Sequence, residues 1–166
     1  NRGYNPEWQI ELIDLIVKRG ADAKSATPQL LEILNTPDDP SIQDDPLVQK
    51  AALEALIKIG ADDAKIVRVI FALRDEYMQD EFSLQVYEFL KQVGGRSPEI
   101  ITPYLDDPDE SKRALALSAI GSKVDVKIIE KLIKLLDDDS SWIVCKAIHF
   151  LGDSGDERAF KPLLKM

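Results

Sequence analysis

The sequence predicts an all-α protein, built as a right-handed α-α superhelix (a solenoid) of about five antiparallel helix pairs. Three observations support this fold class: an apolar pattern with helical spacing recurs along the chain, glycine follows most of its copies, and proline follows a capping residue at five positions. The alternation of apolar and polar residues that marks a half-buried strand is not found in the sequence. A chain of 166 residues is long enough for the single domain with one continuous core that we expect over residues 1–166.

The recurrent pattern occupies five segments, each ending on an apolar residue that we call the anchor. In every copy the residues one, three and four positions before the anchor are apolar, and the residue two before it is polar. On a helix this spacing puts the four apolar residues on one face and turns the polar residue outward. The segments are LIDLI, ALEAL, VYEFL, ALSAI and AIHFL, with anchors at Ile16, Leu56, Leu90, Ile120 and Leu151.

Glycines and capping pairs predict where the helices end and begin. Glycine stands four residues after every anchor except the fourth, where Val124 replaces it. Glycine there favours the left-handed conformation that ends a helix; these residues are Gly20, Gly60, Gly94 and Gly155. A capping residue followed by proline favours a helix start; such pairs are Asn5-Pro6, Thr27-Pro28, Asp45-Pro46, Ser97-Pro98 and Asp107-Pro108.

A second apolar stretch follows each anchor by about a dozen residues, as expected of stacked helix pairs. Each repeat is therefore predicted to contain a first helix, A, and a second helix, B. The predicted repeats span residues 5–36, 45–76, 77–106, 107–139 and 140–166, with an acidic loop at 35–46.

These repeats resemble the HEAT repeats, in particular the short type found in phycobilisome lyases. The resemblance is strongest in DDPDESKRALALSAIGSKVDVKIIEKLIKLLDDDSSWIVCKAIHFLGDSGDERAFKPLL, which has Asp-Pro before helix A, small apolar pairs within it, glycine after it, and Leu-x-x-Leu-Leu-Asp closing helix B. The Val-Arg pair common in helix A of the family is replaced by Val48-Gln49 and Lys112-Arg113. The resemblance implies a helical solenoid. It leaves open, as an alternative to protein binding, a subunit of a bilin lyase-like or other protein-modifying enzyme.

Charge and composition restrict the classes of partner. The chain carries 30 acidic and 21 basic residues, a net charge of -9, which repels nucleic acid and anionic membrane surfaces. No apolar run reaches the length of about 18 residues that spans a bilayer. The lone cysteine excludes an internal disulfide and favours a reducing, cytoplasmic location.

The string GDSGDERA, residues 152–159, matches the surroundings of a serine protease nucleophile. In register, however, Ser154 lies in the turn between the helices of the fifth repeat, and nothing in the sequence places an acid behind His149. Cys145 and His149 are spaced for zinc, but they supply two ligands at most, so Cys145 is interpreted as a packed apolar residue. We therefore expect no catalytic residue, metal or cofactor.

Two enzyme families with this architecture fit the residues poorly. Deoxyhypusine hydroxylase builds a di-iron site from repeated His-Glu pairs, whereas this chain has one histidine and no such pair. The HEAT-like alkylpurine DNA glycosylases need a basic concave surface, which the net charge of -9 does not favour.

The outward residues of the B helices are the candidate partner-binding surface, because in stacked helix pairs helix B usually lines the concave face. This set is predicted to be net basic on an otherwise acidic chain, which suits an acidic protein segment. The periodicity gives Gln29, Glu32, Lys65, Arg68, Glu99, Thr102, Lys127, Glu130, Lys131, Lys134, Arg158 and Lys161.

The two tryptophans are predicted to differ. Trp142 occupies a position that is polar in most copies, so we expect it to be partly exposed and available as an interface residue. Trp8 occupies a position that is apolar in four of the five copies and is predicted to be buried. Together the sequence predicts a non-enzymatic protein-binding module or scaffold; its oligomeric state stays open.

Overall fold

A computed structural model describes residues 5–34, 46–72, 81–120 and 125–166. The elements in these ranges are helices and short 3-10 segments without a strand, which confirms the predicted all-α fold. The helices are α1 (Pro6–Lys18), α2 (Thr27–Leu34), α3 (Pro46–Lys58), α4 (Asp63–Ala72), α5 (Glu81–Arg96), α6 (Pro98–Ile101), α7 (Glu110–Ala119), α8 (Val126–Lys134), α9 (Ser141–Ser154) and α10 (Glu157–Leu163), with 3-10 segments at Gly20–Ala26, Thr102–Asp106 and Leu135–Asp137.

Each predicted repeat contains an A helix and a B helix. The A helices are α1, α3, α5, α7 and α9, and the B helices are α2, α4, α6, α8 and α10. Helix α6 is a single turn that continues into the 3-10 segment Thr102–Asp106. The predicted acidic loop at 35–46 lies outside the described residues except for Pro46.

The chain divides into two compact units, Asn1–Val86 and Tyr87–Met166. In the first unit, α1 and α2 both pack against α3, and α4 packs against α3 as well. In the second unit, α7 packs against α9, while α8 contacts both α9 and α10. Within the second unit consecutive A helices thus stack on each other and consecutive B helices do the same, which is the arrangement of an α solenoid.

The recurrent apolar pattern is confirmed in the second and fourth copies. All four apolar positions are buried in the second copy, on α3 (Ala52, Leu53, Ala55, Leu56), and in the fourth, on α7 and the residue after it (Ala116, Leu117, Ala119, Ile120). In α1 only Ile13 is buried, whereas Leu12 is 59% and Leu15 53% exposed. The reason is that α1 packs on one side against α3, and no described helix covers its other side.

The predicted burial of two further residues is wrong. Trp8 is 59% exposed, because it lies one turn before Leu12 on the same uncovered side of α1. Cys145 is also exposed. The buried residues of α9 include Ile143 and Ala147, and Cys145 lies midway between them, on the opposite side of the helix.

The glycine stops are confirmed at three of the four predicted positions. Gly20, Gly60 and Gly155 have φ angles of 59°, 66° and 61°, the left-handed conformation that glycine adopts without steric cost. The stop predicted at Gly94 is wrong, since α5 continues to Arg96. The helix ends there because Pro98 follows and lacks the N–H that would continue it.

The capping pairs mark helix starts with two corrections. Asn5 is confirmed: its Oδ1 accepts from the N–H groups of Glu7 at 2.9 Å and Trp8 at 3.3 Å. The cap of α7 is Asp109 and not Asp107, because the Asp107 carboxylate accepts from the Asp109 N–H at 3.0 Å and forms a turn before the helix.

Thr27 is no cap, because it continues the 3-10 segment with helical backbone angles. Ser97 stands at the start of α6 without a capping side-chain bond. Asp45 lies outside the described residues, although α3 begins at Pro46 as the sequence predicts.

Candidate partner-binding surfaces

The turn predicted for GDSGDERA is confirmed. Ser154 is the last residue of α9, Gly155 is the C-terminal cap of that helix, and Asp156 is the N-terminal cap of α10. The Ser154 hydroxyl donates to the Leu151 carbonyl at 2.7 Å and accepts from the Asp156 N–H at 3.2 Å. The hydroxyl therefore joins the two helices through backbone hydrogen bonds.

His149 does have an acidic neighbour, which the sequence analysis missed. Its Nε2 lies 3.3 Å from Oδ2 of Asp153, one turn later on α9, and both side chains are exposed. The pair does not form a serine triad, because the Ser154 hydroxyl proton is directed to a backbone carbonyl. Within the described ranges, no group of three or more His, Cys, Asp or Glu residues could hold a metal ion.

Most of the predicted B-helix residues lie at the surface. In the first unit Gln29, Glu32, Lys65 and Arg68 are exposed. In the second unit Glu99, Lys127, Glu130, Lys134, Arg158 and Lys161 are exposed, and Lys131 is half-buried.

Thr102 is wrongly predicted as an outward residue. It is only 8% exposed, and its Oγ1 donates to the Pro98 carbonyl at 2.6 Å. This local bond satisfies the hydroxyl without water, so the side chain can face the interior of the helix pair.

Two of the predicted basic residues are neutralised by nearby carboxylates. Lys131 forms an ion pair with Asp106, which belongs to the preceding repeat. Arg158 donates through Nε and Nη2 to the carboxylate of Asp156 at 2.8 and 2.6 Å, and these bonds lower the pKa of Asp156 to about 2. Helix periodicity alone does not reveal such partners, because they come from loops and caps.

Three exposed lysines remain on two adjacent B helices of the second unit. Burial of Ile128, Ile129 and Leu132 orients α8 so that Lys127 and Lys134, two turns apart, face outward. Helix α10, which packs against α8, adds the exposed Lys161. We call Lys127, Lys134 and Lys161 the lysine surface; Glu130 lies between its first two members.

Trp142 is 46% exposed, which confirms its predicted exposure. Lys146, one turn later on α9, places its Nζ 5.6 Å from the centre of a Trp142 ring. This is the geometry of a cation-π contact, which holds the lysine beside the indole.

A groove between A helices was not predicted from the sequence. It has a volume of about 520 Å³ and is lined by residues of α5, α7 and α9 together with Ile120, which follows α7. Tyr87 lies on α5, Leu117 on α7 and Phe150 on α9. The signal in the sequence is the fourth copy, whose glycine, Gly121, directly follows the anchor instead of standing four residues after it.

Comparison with known families supports the repeat interpretation for the second half of the chain. Residues 98–166 match the family model for HEAT repeats. No curated protein matches the chain. None of the described helices has the length and apolar character needed to cross a membrane. Residues 98–166 are therefore similar to HEAT repeats, in agreement with the all-α fold of stacked helix pairs.

Proposed function

We propose that this protein is a non-enzymatic protein-binding module that holds an acidic segment of its partner on the lysine surface of α8 and α10. The observation that carries the proposal is the exposure of Lys127, Lys134 and Lys161 on two packed helices of a chain with a net charge of -9. HEAT repeats, to which residues 98–166 are similar, typically mediate protein–protein interactions.

The positive charge of the lysine surface favours a partner that carries carboxylates, and it affects the rate at which that partner binds. Lysine side chains attract carboxylates over distances near the Debye length of about 8 Å at physiological ionic strength. Such attraction mainly increases the association rate and fixes the orientation of a partner. Because Lys131 and Arg158 already contact carboxylates, the three lysines of the surface are the basic residues of α8 and α10 that remain to select an acidic segment.

The experiment compares partners captured from a cell lysate by the immobilised wild type and by the triple variant Lys127→Glu, Lys134→Glu, Lys161→Glu. We expect the variant to lose a partner that the wild type retains, while its thermal melt stays nearly unchanged because all three side chains are exposed. A matched control reverses Lys18, Lys24 and Lys165, which are also exposed and lie outside the surface.

The control gives the variant the same net charge, so it separates a local effect from general repulsion. Equal capture by all three proteins would contradict the proposal. A purified protein that absorbs visible light and keeps a stoichiometric bilin would instead support the lyase-like alternative.

A further inference from the structure

The groove of about 520 Å³ originates from the early end of α7. Helix α9 continues three residues beyond its anchor to Ser154, whereas α7 ends at Ala119, one residue before its own anchor. On each side of the shorter helix, α5 and α9 extend further and form walls. The missing turn corresponds to the fourth copy of the repeat, in which Val124 stands in place of the glycine.

The floor and walls of the groove are largely apolar. Leu117 and Ile120 form its base at the end of α7, and both are buried beneath it. Tyr87 of α5 and Phe150 of α9 are half-buried and present aromatic rings from opposite walls. The Tyr87 hydroxyl donates to the Ser118 carbonyl at 3.4 Å, which fixes the ring against α7. An apolar base between two rings suits an aromatic side chain, since aromatic pairs attract each other beyond their buried area.

Two lysines stand at the rim of this apolar base. Lys91 places its Nζ 5.8 Å from the centre of the Tyr87 ring, and Lys146 is held in the same way beside Trp142. Both lysines are exposed, and ring contacts leave an ammonium group able to bind a carboxylate. Asp153 is the one carboxylate among the lining residues. Its Oδ2 lies 3.3 Å from Nε2 of His149. The rim is therefore net basic on a strongly acidic chain.

From this arrangement we infer that the groove is a second docking site, which takes one aromatic side chain of an acidic peptide segment. The aromatic ring lies between the half-buried rings of Tyr87 and Phe150, above the end of α7, and flanking carboxylates pair with Lys91 and Lys146. The volume lies within the range of about 300–1,000 Å³ that is usual for ligand sites. The inference does not rest on the function proposed above, because no residue of α8 or α10 lines the groove.

Trp142 supplies a local readout, because it contacts the rim residue Lys146. The chain has two tryptophans, so the variant Trp8→Phe leaves Trp142 as the sole source of indole emission. The probe is the amidated peptide Gly-Glu-Asp-Phe-Asp-Glu, titrated at physiological ionic strength. We expect a saturable change in Trp142 emission, and a peptide with alanine in place of phenylalanine should bind about tenfold more weakly.

Two single charge reversals in the Trp8→Phe background test the position of the site. Lys91→Glu, at the rim, should weaken the peptide about fivefold, since it replaces an attraction by a repulsion. Lys18→Glu changes the net charge equally but lies on α1, outside both the groove and the lysine surface, and it should leave the titration within about twofold, as screening predicts. Both lysines are exposed, so circular dichroism melts should match the parent protein.

Three results would overturn the inference: no saturable change in emission up to about 1 mM peptide, equal binding of the alanine peptide, or equal weakening by Lys91→Glu and Lys18→Glu. The last result would indicate general charge repulsion. Equal capture of partners by the wild type and the lysine-surface variant would contradict the function proposed above without changing this titration, so the two proposals fail separately.

Discussion

Within the fourth repeat, Arg113 on α7 forms a bidentate ion pair with Asp138, the residue that follows the 3-10 segment Leu135–Asp137. Arg113 Nε donates to Oδ2 at 2.7 Å and Nη2 donates to Oδ1 at 3.0 Å. The third nitrogen, Nη1, donates to the carbonyls of Asp107 and Pro108, each at 3.0 Å. Asp138 in turn accepts from the N–H of Ser140, the residue that begins α9. One guanidinium thus links α7, the loop before it and the start of the next A helix.

We expect Arg113→Gln to destabilise the protein by about 2 kcal/mol, because it leaves the Asp138 carboxylate, which is only 5% exposed, without its charged partner. The measurement is chemical denaturation followed by circular dichroism. Arg158→Gln is the matched control, since the Arg158–Asp156 pair has similar geometry but lies in solvent. The control should leave the denaturation midpoint nearly unchanged. Equal effects of the two substitutions would contradict a structural role for Arg113.

The same pair predicts a pH dependence of stability. Hydrogen bonding to Arg113 holds the pKa of Asp138 below its usual range. A carboxyl with a lowered folded pKa contributes stability that is complete above its unfolded value of about 3.9 and is lost as the pH falls through the folded value.

The difference in melting temperature between wild type and Asp138→Asn should therefore be full at pH 7 and shrink below about pH 4. Melts at pH 7, 5, 4 and 3 measure it. A difference at pH 3 as large as at pH 7 would show that the Asp138 charge is not the source of the stability.

The periodicity of apolar residues could predict the helices and their grouping into A and B helices, because both follow from the spacing of these residues. It placed Leu53 and Leu117 in the core, where they are fully buried. It failed for Trp8, since burial there depends on whether another helix covers α1, which spacing along one helix does not reveal. It also failed for Cys145, where the small side chain suggested packing but the helix turns it outward.

The candidate surfaces were less predictable than the fold. The sequence found the outward positions of α8, but it did not show that Asp106 neutralises Lys131 from the preceding repeat. The groove depends on the relative lengths of α5, α7 and α9. The sequence marked this only by the earlier glycine of the fourth copy, Gly121, which directly follows its anchor. Long-range ion pairs and differences in helix length are properties of the packed structure.

Gly94 and its neighbour Gly95 offer a matched pair of substitutions. A Cβ atom on Gly94 would lie 2.9 Å from the carbonyl carbon of Ala119, so the last turns of α5 approach the end of α7 closely. Gly94→Ala should destabilise the protein by about 1–3 kcal/mol, as overpacking does. A Cβ on Gly95 meets nothing within 4 Å, and Gly95→Ala should stabilise the helix by about 0.5–1 kcal/mol.

Thermal melts of both variants are compared with that of the wild type. We expect a lower melting temperature for Gly94→Ala and a higher one for Gly95→Ala. If Gly94→Ala also stabilised the protein, the close contact between α5 and α7 would be wrong. The groove proposal would then lose one of its walls, because this contact sets the distance between these helices.

Gln49 occupies in α3 the position that Arg113 occupies in α7, seven residues before the anchor. It is only 7% exposed, and its Oε1 has no hydrogen-bond partner among the described residues. A buried carbonyl without a partner costs about 1–3 kcal/mol of stability. We therefore expect Gln49→Met, which keeps the length of the side chain and removes the amide, to stabilise the protein by about 1 kcal/mol.

The exposed Gln85 on α5 is the control, and Gln85→Met should leave the melting temperature unchanged, because its amide is already solvated. A lower melting temperature for Gln49→Met would mean that the amide nitrogen contributes more than the unpaired oxygen costs.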